Sequence, residues 1–201
     1  ELARLIFGAD PRDTGLVRLD GQTLNIQSPA DAIRHGICLL TEDRKHQGLV
    51  LGLSARDNFS LPNLPTFSRL GWVTKKEERH RFQGYIEALN IRLSNMEQSA
   101  GSLSGGNQQK VVLAKWLARN ADLIIFDEPT RGVDVGAKYE IYSLMNELAA
   151  QGKAIMMISS ELPEILGMSD RVMVMHEGRV TGVADNIKHA TQESLMHMAV
   201  G

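Results

Sequence analysis

The sequence predicts an α/β fold: a mostly parallel sheet with antiparallel additions at both ends and a helical subdomain inserted in the α/β core. Short unbroken apolar runs, Ile37-Cys38-Leu39-Leu40, Leu123-Ile124-Ile125-Phe126 and Ala154 to Ile158, have the pattern of strands buried on both faces rather than the alternation of a half-solvated sheet. Helix-period segments lie between them, as crossovers between parallel strands require. Turn residues at Asp20-Gly21 and Glu177-Gly178 place hairpins toward the two ends.

Taken in order, Glu1 to Gly8 has the pattern of the back half of a helix stopped by a glycine, so the chain is expected to open inside a helix of a partial domain. Residues 15 to 27 predict a hairpin of short strands around Asp20-Gly21. Ser28-Pro29 supplies an N-cap and a first helical residue for a short helix from Ala30 to His35. Strand 37–40 then flows into the charged loop Thr41-Glu42-Asp43-Arg44-Lys45. From Leu49 to Trp72 the pattern is irregular, and Pro62 and Pro65 argue against long regular structure. Thr74 with Glu77 has the spacing of a capping box and opens a helix to about Leu89, with Trp72, Phe82 and Tyr85 as its packing residues. A helix is expected from about Asn107 to Leu117. A second runs from Lys138 to Ala149, with Ile141, Leu144, Met145 and Leu148 on one face. Beyond the 154–158 strand come a short helix near Pro163, a strand from Arg171 to Met175, its hairpin partner Val180 to Ala184, and a last helix from about Thr191. The nine methionines are expected mostly as core filler.

Bulk properties exclude several function classes. The chain has 201 residues and a formal net charge of −2, with no basic run longer than Arg44-Lys45 or Lys75-Lys76, so nucleic acid is not an expected partner. No apolar stretch is long enough to span a bilayer. Cys38, the only cysteine, lies inside an apolar run and is expected as a buried small hydrophobe. The six histidines show no metal-site spacing.

The chemistry concentrates between Leu103 and Asp134. The polar glycine loop Leu103-Ser104-Gly105-Gly106-Asn107 runs into a helix, and two successive glycines there allow an anion or another backbone to come close. Asp127-Glu128-Pro129 follows the buried run 123–126, which sets two acids at the C-terminal end of a strand, the edge where open α/β sheets bind ligands. Paired acids there suit a divalent metal and a water.

In combination these stretches resemble the ATP-binding cassette ATPases. Leu103 to Lys110 is similar to their signature loop, Leu123 to Glu128 to their Walker B strand, and Thr130-Arg131-Gly132-Val133-Asp134 to their D-loop. The runs at Glu42 to Lys45, Glu128 to Lys138 and Ser159-Ser160-Glu161 look most like the second, C-terminal nucleotide-binding domain of a ribose-type sugar importer's ATP-binding subunit. The resemblance covers nearly the whole chain and implies a P-loop NTPase-like fold, one partial domain over 1–201 with a helical subdomain at about 60–119. It departs from the pattern in three places. No G-x-x-x-x-G-K-[ST] phosphate loop occurs, Glu42 stands where the Q-loop has glutamine, and Ser160 stands where the switch histidine is usual.

The resemblance further implies ATP and Mg²⁺ as cofactors. Asp127 would ligate the metal, directly or through water, Glu42 would hold metal-bound water, and Glu128 would polarise the attacking water. Two such domains close head to tail in this family. Ser104, Gly105, Gly106, Asn107 and Gln108 would therefore cap a nucleotide held by the partner domain, while Asp134 sits at the seam or caps the helix that follows. Glu42 and Ser160 imply a weak or inactive site on the chain's own motifs. Arg44 and Lys45 could contact phosphate, meet the membrane partner, or form a solvated loop. The implied function is an ATP-hydrolysing subunit of an importer for ribose or a similar monosaccharide, enzymatic as part of the full subunit and inactive as this chain alone. The alternative is a non-hydrolytic regulatory or structural module of the same fold. Implied partners are the N-terminal nucleotide-binding domain of the same subunit, transmembrane permease subunits and, indirectly, a sugar-binding protein, at the cytoplasmic face of the membrane.

Overall fold

The computed structural model describes residues 1–69 and 72–200. Its first helix, α1 (Leu2–Ile6), stops at a glycine: Gly8 has φ 73°, and the Gly8 and Ala9 amides donate to the Leu5 and Arg4 carbonyls at 3.0 and 2.8 Å. A Cβ at Gly8 would lie 2.7 Å from the Ser28 backbone, so the turn and the packing both require glycine. Strands β1 (Val17–Leu19) and β2 (Gln22–Leu24) form the expected hairpin, with Asp20 and Gly21 both at positive φ in the two-residue turn. Helix α2 (Pro29–Arg34) is capped by Ser28, whose hydroxyl accepts from the Asp31 amide at 3.3 Å. It leads into β3 (Ile37–Leu40), buried at every position.

A π-helical turn at Arg44–Gly48 replaces the open charged loop predicted after β3. The stretch predicted as irregular is helical: α3 (Ala55–Ser60), a 3₁₀ turn at Leu61–Asn63 and α4 (Leu64–Phe67). Pro62 and Pro65 do not block it because each falls in the first turn of its segment, where the missing N–H has no intrahelical partner to lose. Ser54 starts α3 by accepting from the Asp57 amide at 3.0 Å and donating to the Asp57 carboxylate at 2.6 Å. Strands β4 (Ser68–Arg69) and β5 (Trp72–Val73) precede α5 (Lys75–Ala88). That helix forms without the predicted capping box. The Thr74 side chain makes no cap bond; its carbonyl takes the Glu77 and Glu78 amides at 3.1 Å each, and the Glu78 side chain is drawn inward by Arg56. Phe82 and Tyr85 pack as expected, around Phe59 at ring distances of 4.8 and 5.5 Å, but Trp72 is 82% exposed rather than a packing residue. Helix α6 (Gly105–Leu117) crosses beneath, tied to α3 by Asn63, which donates to the Phe59 and Lys115 carbonyls at 2.8 and 2.9 Å.

Strand β6 (Leu123–Asp127) runs parallel to β3, with Ile37 opposite Leu123 and Leu40 opposite Phe126. Helix α7 (Val135–Ala150) buries Ile141, Met145 and Leu148, a stripe at helical spacing, and ends at Gly152. Strand β7 (Ala154–Ile158) completes a three-stranded sheet of order β3-β6-β7, in which β3 and β6 run parallel. Strand β3 is buried throughout and β6 at its three central positions, as their continuous apolar runs predict, but β7 is exposed at Ala154 and only half-buried over the next four residues, so the expected cover on both faces does not extend to it.

Residues 157–201 make a second compact unit. It contains α8 (Leu162–Met168), the antiparallel pair β8 (Val172–His176) and β9 (Arg179–Ala184), and α9 (Gln192–Val200). Thr191 and Ser194 exchange side-chain to amide bonds at 3.1 and 2.9 Å, so serine fills the capping-box place usually held by an acid. The side chain of Met198 fills the space over Gly182. Met173, Met175 and Met196 are exposed, so the methionines are less uniformly core residues than predicted. No helix among the described residues is long and apolar enough to cross a membrane.

Candidate functional site

Two clusters emerge in the first unit. One lies at the C-terminal ends of β3 and β6. Burial first, and the nearby charge of Glu42 as a smaller cause, hold the Asp127 carboxyl above its ordinary range. The two acids expected to share a metal are thus brought near enough to repel each other. Glu42 also pairs with Arg131, which neutralises part of that charge. Glu128 has φ 48°, a left-handed backbone that a non-glycine residue rarely adopts and that often marks a functional strand end.

No group of three or more His, Cys, Asp or Glu side chains suited to a metal occurs among the described residues. That is compatible with Mg²⁺, which commonly takes one or two carboxylates and fills its remaining positions with water and phosphate oxygens. Asp127 and Glu42 fit that donor set, because both are carboxylates at the strand ends and a cation there would offset the charge that burial and, to a smaller degree, Glu42 disfavour at Asp127.

The second cluster is the glycine loop at the start of α6. Ser104 is its N-cap and accepts from the Asn107 amide at 3.4 Å. The Asn107 side chain reaches both ways: its Oδ1 accepts from the Arg92 backbone amide at 2.7 Å and its Nδ2 donates to Ser104 Oγ at 2.9 Å. Ser104 is exposed, and Gly105 and Gly106 are partly so. An open polar groove of about 560 Å³ borders the loop, lined in part by Arg92, Ser94, Gln98, Ser102, Ser104 and Asn107.

Gln108, expected among the nucleotide-facing residues, turns inward instead. It is 4% exposed, its side chain donates to the Ala100 carbonyl at 3.1 Å, and its backbone amide is spent on the Ser104 carbonyl. One helical step beyond Asn107 rotates a side chain from the outer face to the inner one. Asp134 caps α7, accepting from the Ala137 amide at 3.0 Å. Gly106 lies beside Ala137, so the two helix N-termini sit together. Ser160 belongs to the second unit, where it is exposed and follows Ser159, whose hydroxyl donates to Glu164.

Arg44 joins the pieces of the first unit. Its guanidinium lies against Gly105, where a Cβ would come within 2.9 Å of Nη2, and Nη1 donates to the Arg131 carbonyl at 3.4 Å. Of the readings open for Arg44, a freely solvated loop residue is the one this packing removes. The double engagement of Asn107 and the place of Arg92 carry no sequence signal, since both depend on a contact across fifteen residues.

A family profile described as ABC transporter matches residues 1–131. The chain is 53% identical over 201 residues to a ribose import ATP-binding protein of Geobacillus kaustophilus and 54% identical over 202 residues to one of Clostridium perfringens strain 13. In both cases the match covers 100% of this chain and 40% of the relative, so the chain spans about two fifths of their length. Among solved structures, a dimeric bacterial ABC transporter cassette superposes with a TM-score of 0.77 at 22% identity, over 91% of this chain and 78% of that one. A dimeric post-hydrolysis cassette bound to ADP and Pi gives 0.76 at 22% identity over the same shares.

Proposed function

The chain belongs to the ATP-binding cassette transporter family, and from that premise we propose that it is the second nucleotide-binding domain of a sugar importer's ATP-binding subunit, offering its signature loop to a nucleotide held by the sister domain. The single observation that carries this reading is the loop at the start of α6. It has an exposed hydroxyl at Ser104, two accessible glycines and the N-terminus of a 13-residue helix, all turned to solvent. A helix N-terminus with free donors stabilises charge on a phosphate group. Two solved cassettes of similar fold are described as dimers, one of them bound to ADP and Pi, which supports pairing with a second such domain here. The sugar class follows from relatives named for ribose import, and with it come a membrane permease, an external sugar-binding protein and a place at the cytoplasmic face of the membrane.

On this reading Asp127 and Glu42 would hold Mg²⁺ at the chain's own strand ends, and Glu128 would orient a water. When bound, the metal neutralises charge on phosphate oxygens. The chain's own site is the weaker of the two, because Glu42 adds negative charge beside the phosphates and part of its capacity goes to Arg131.

The test is ATP turnover by the complete subunit carrying Ser104→Arg, which fills the loop with a long side chain. Turnover is expected to fall at least tenfold, roughly the loss of one hydrogen bond to a charged group. Turnover near the unmodified level sinks the trans reading.

A further inference from the structure

The geometry points to Asn107 as a positioning residue that makes the Ser104 hydroxyl a one-way hydrogen-bond donor. The orientation of the Asn107 amide is settled by its partners. The Arg92 backbone amide can only donate, so the group 2.7 Å away must be Oδ1, which leaves Nδ2 facing Ser104 Oγ at 2.9 Å. The Asn107 backbone amide approaches the same oxygen at 3.4 Å. A serine hydroxyl has two acceptor sites and one proton. Both acceptor sites are occupied by Asn107, so only the proton remains to be used. Among the described residues no acceptor within the chain takes that proton, and Ser104 is exposed. The hydroxyl is therefore preset to donate outward, toward an anionic oxygen, and is closed to any donor such as a cation-bound water. The Arg92 bond keeps Asn107 in this pose and sets the Arg92 segment along the rim of the groove.

The proposal rests on the trans reading of the loop, and four variants of the complete subunit separate the two. Turnover of ATP and the melting temperature are measured for each. Ser104→Ala removes the donor and is expected to lower turnover about tenfold to a hundredfold, the worth of a hydrogen bond to a charged group. Asn107→Asp keeps the Arg92 tether but cannot donate. Its carboxylate takes the Ser104 proton inward, so it is expected to match the Ser104→Ala loss with little change in melting temperature. Asn107→Ala breaks the tether and frees the hydroxyl to rotate. It is expected to melt lower than Asn107→Asp yet turn over faster, an inversion that a merely structural asparagine would not produce. The double variant Ser104→Ala/Asn107→Asp is expected to be no slower than Ser104→Ala alone.

Asn107→Asp within about twofold of the unmodified rate, alongside a crippled Ser104→Ala, overturns the positioning role and leaves the trans reading standing. A double variant much slower than Ser104→Ala also overturns it, since the carboxylate then acts by repulsion. Full turnover by Ser104→Ala overturns the positioning role, because the hydroxyl then matters to no ligand, while the trans reading falls only if Ser104→Arg also turns over near the unmodified rate. Should Asn107→Asp fail to fold, Asn107→Ala in the Ser104→Ala background decides: no further loss supports the role, and a further loss overturns it.

Discussion

Replacing Arg56 by methionine should cost more stability than any other single polar change in the first unit. Arg56 is 7% exposed and holds Glu78, which is 2% exposed, at 2.5 Å. It also makes a two-pronged contact with Glu97, at 3.0 and 2.9 Å, and Arg79 braces the same carboxylate at 3.0 Å. Methionine fills much of the space but leaves Glu78 charged and unpaired in the interior, a cost of about 3–5 kcal/mol. The contribution from Glu97 is smaller. Its carboxyl is lowered from 4.5 to about 2, chiefly by the Arg56 bond. That drop converts nominally to about 3 kcal/mol, but the side chain is 47% exposed and solvent screening reduces it to about 1 kcal/mol. Because a lowered carboxyl stabilises the fold above its unfolded value, this part is present at neutral pH and lost as pH falls from 4.5 to about 2. Urea denaturation followed by circular dichroism reads the total, and Arg56→Met/Glu78→Leu should recover most of it by removing the stranded charge. A cost below about 1 kcal/mol for Arg56→Met refutes the claim that the pair is buried as described.

Three further outcomes follow from particular side chains. Asp127→Asn should raise the melting temperature near neutral pH, because burial raises the Asp127 carboxyl and makes its charged form a burden on the fold. The gain should vanish below the unfolded value of 3.8, where both states are protonated, and an unchanged or lower melting temperature near neutrality counts against that burial. Lys115 is lowered from 10.5 to about 8 by burial, so the unfolded chain keeps a proton between those values that the folded chain has released, and stability should climb over that range by at most about 3 kcal/mol. Lys115→Met should abolish the climb in a pH series of melts. Gly8→Ala should cost about 1–3 kcal/mol by thermal melting, since φ 73° and a 2.7 Å approach to the Ser28 backbone both disfavour a side chain.

The parallel core was legible in the sequence because its signal is local and redundant. Residues 37–40, 123–126 and 154–158 are apolar runs of strand length, bounded by turn residues and separated by helix periodicity. Helix starts were legible where a serine or aspartate cap stood alone, as at Ser28 and Asp134. The 49–72 stretch was not, because proline discourages a helix on average and favours one in its first turn, and only the position of the Ser54 cap distinguishes those cases. Thr74 has the capping-box spacing to Glu77, but its side chain makes no cap bond: the turn closes through the Thr74 carbonyl, which takes the Glu77 and Glu78 amides, and Arg56, twenty-two residues before Glu78, draws that neighbouring side chain inward. At the candidate site, residue types and order pointed to Ser104, Asp127 and Glu128. The inward turn of Gln108, the Glu42–Arg131 pair and the Arg44 contact at Gly105 are facts of tertiary packing that no spacing encodes.

The two clusters differ in what they lack, and that difference carries the functional reading further than either motif does. The loop at Ser104 is satisfied from within: its capping bond, its tether to Arg92 and the Gln108 brace all come from neighbouring residues, so it holds its shape with nothing bound. Such preorganisation is what a group needs when it must meet charge presented from outside without rearranging. The strand-end cluster is unsatisfied: Asp127 is raised, Glu42 repels it, and Glu128 sits on a strained backbone. Arg131 offsets part of the Glu42 charge, and a bound cation would offset more of the charge at Asp127. A lid complete in itself beside a carboxylate pair that waits for ligand is the asymmetry expected of a domain whose stronger contribution is made to its neighbour's nucleotide. If Mg-ATP raises the melting temperature of this chain alone as much as that of the complete subunit, that asymmetry is wrong, because binding to the native state stabilises in proportion to affinity.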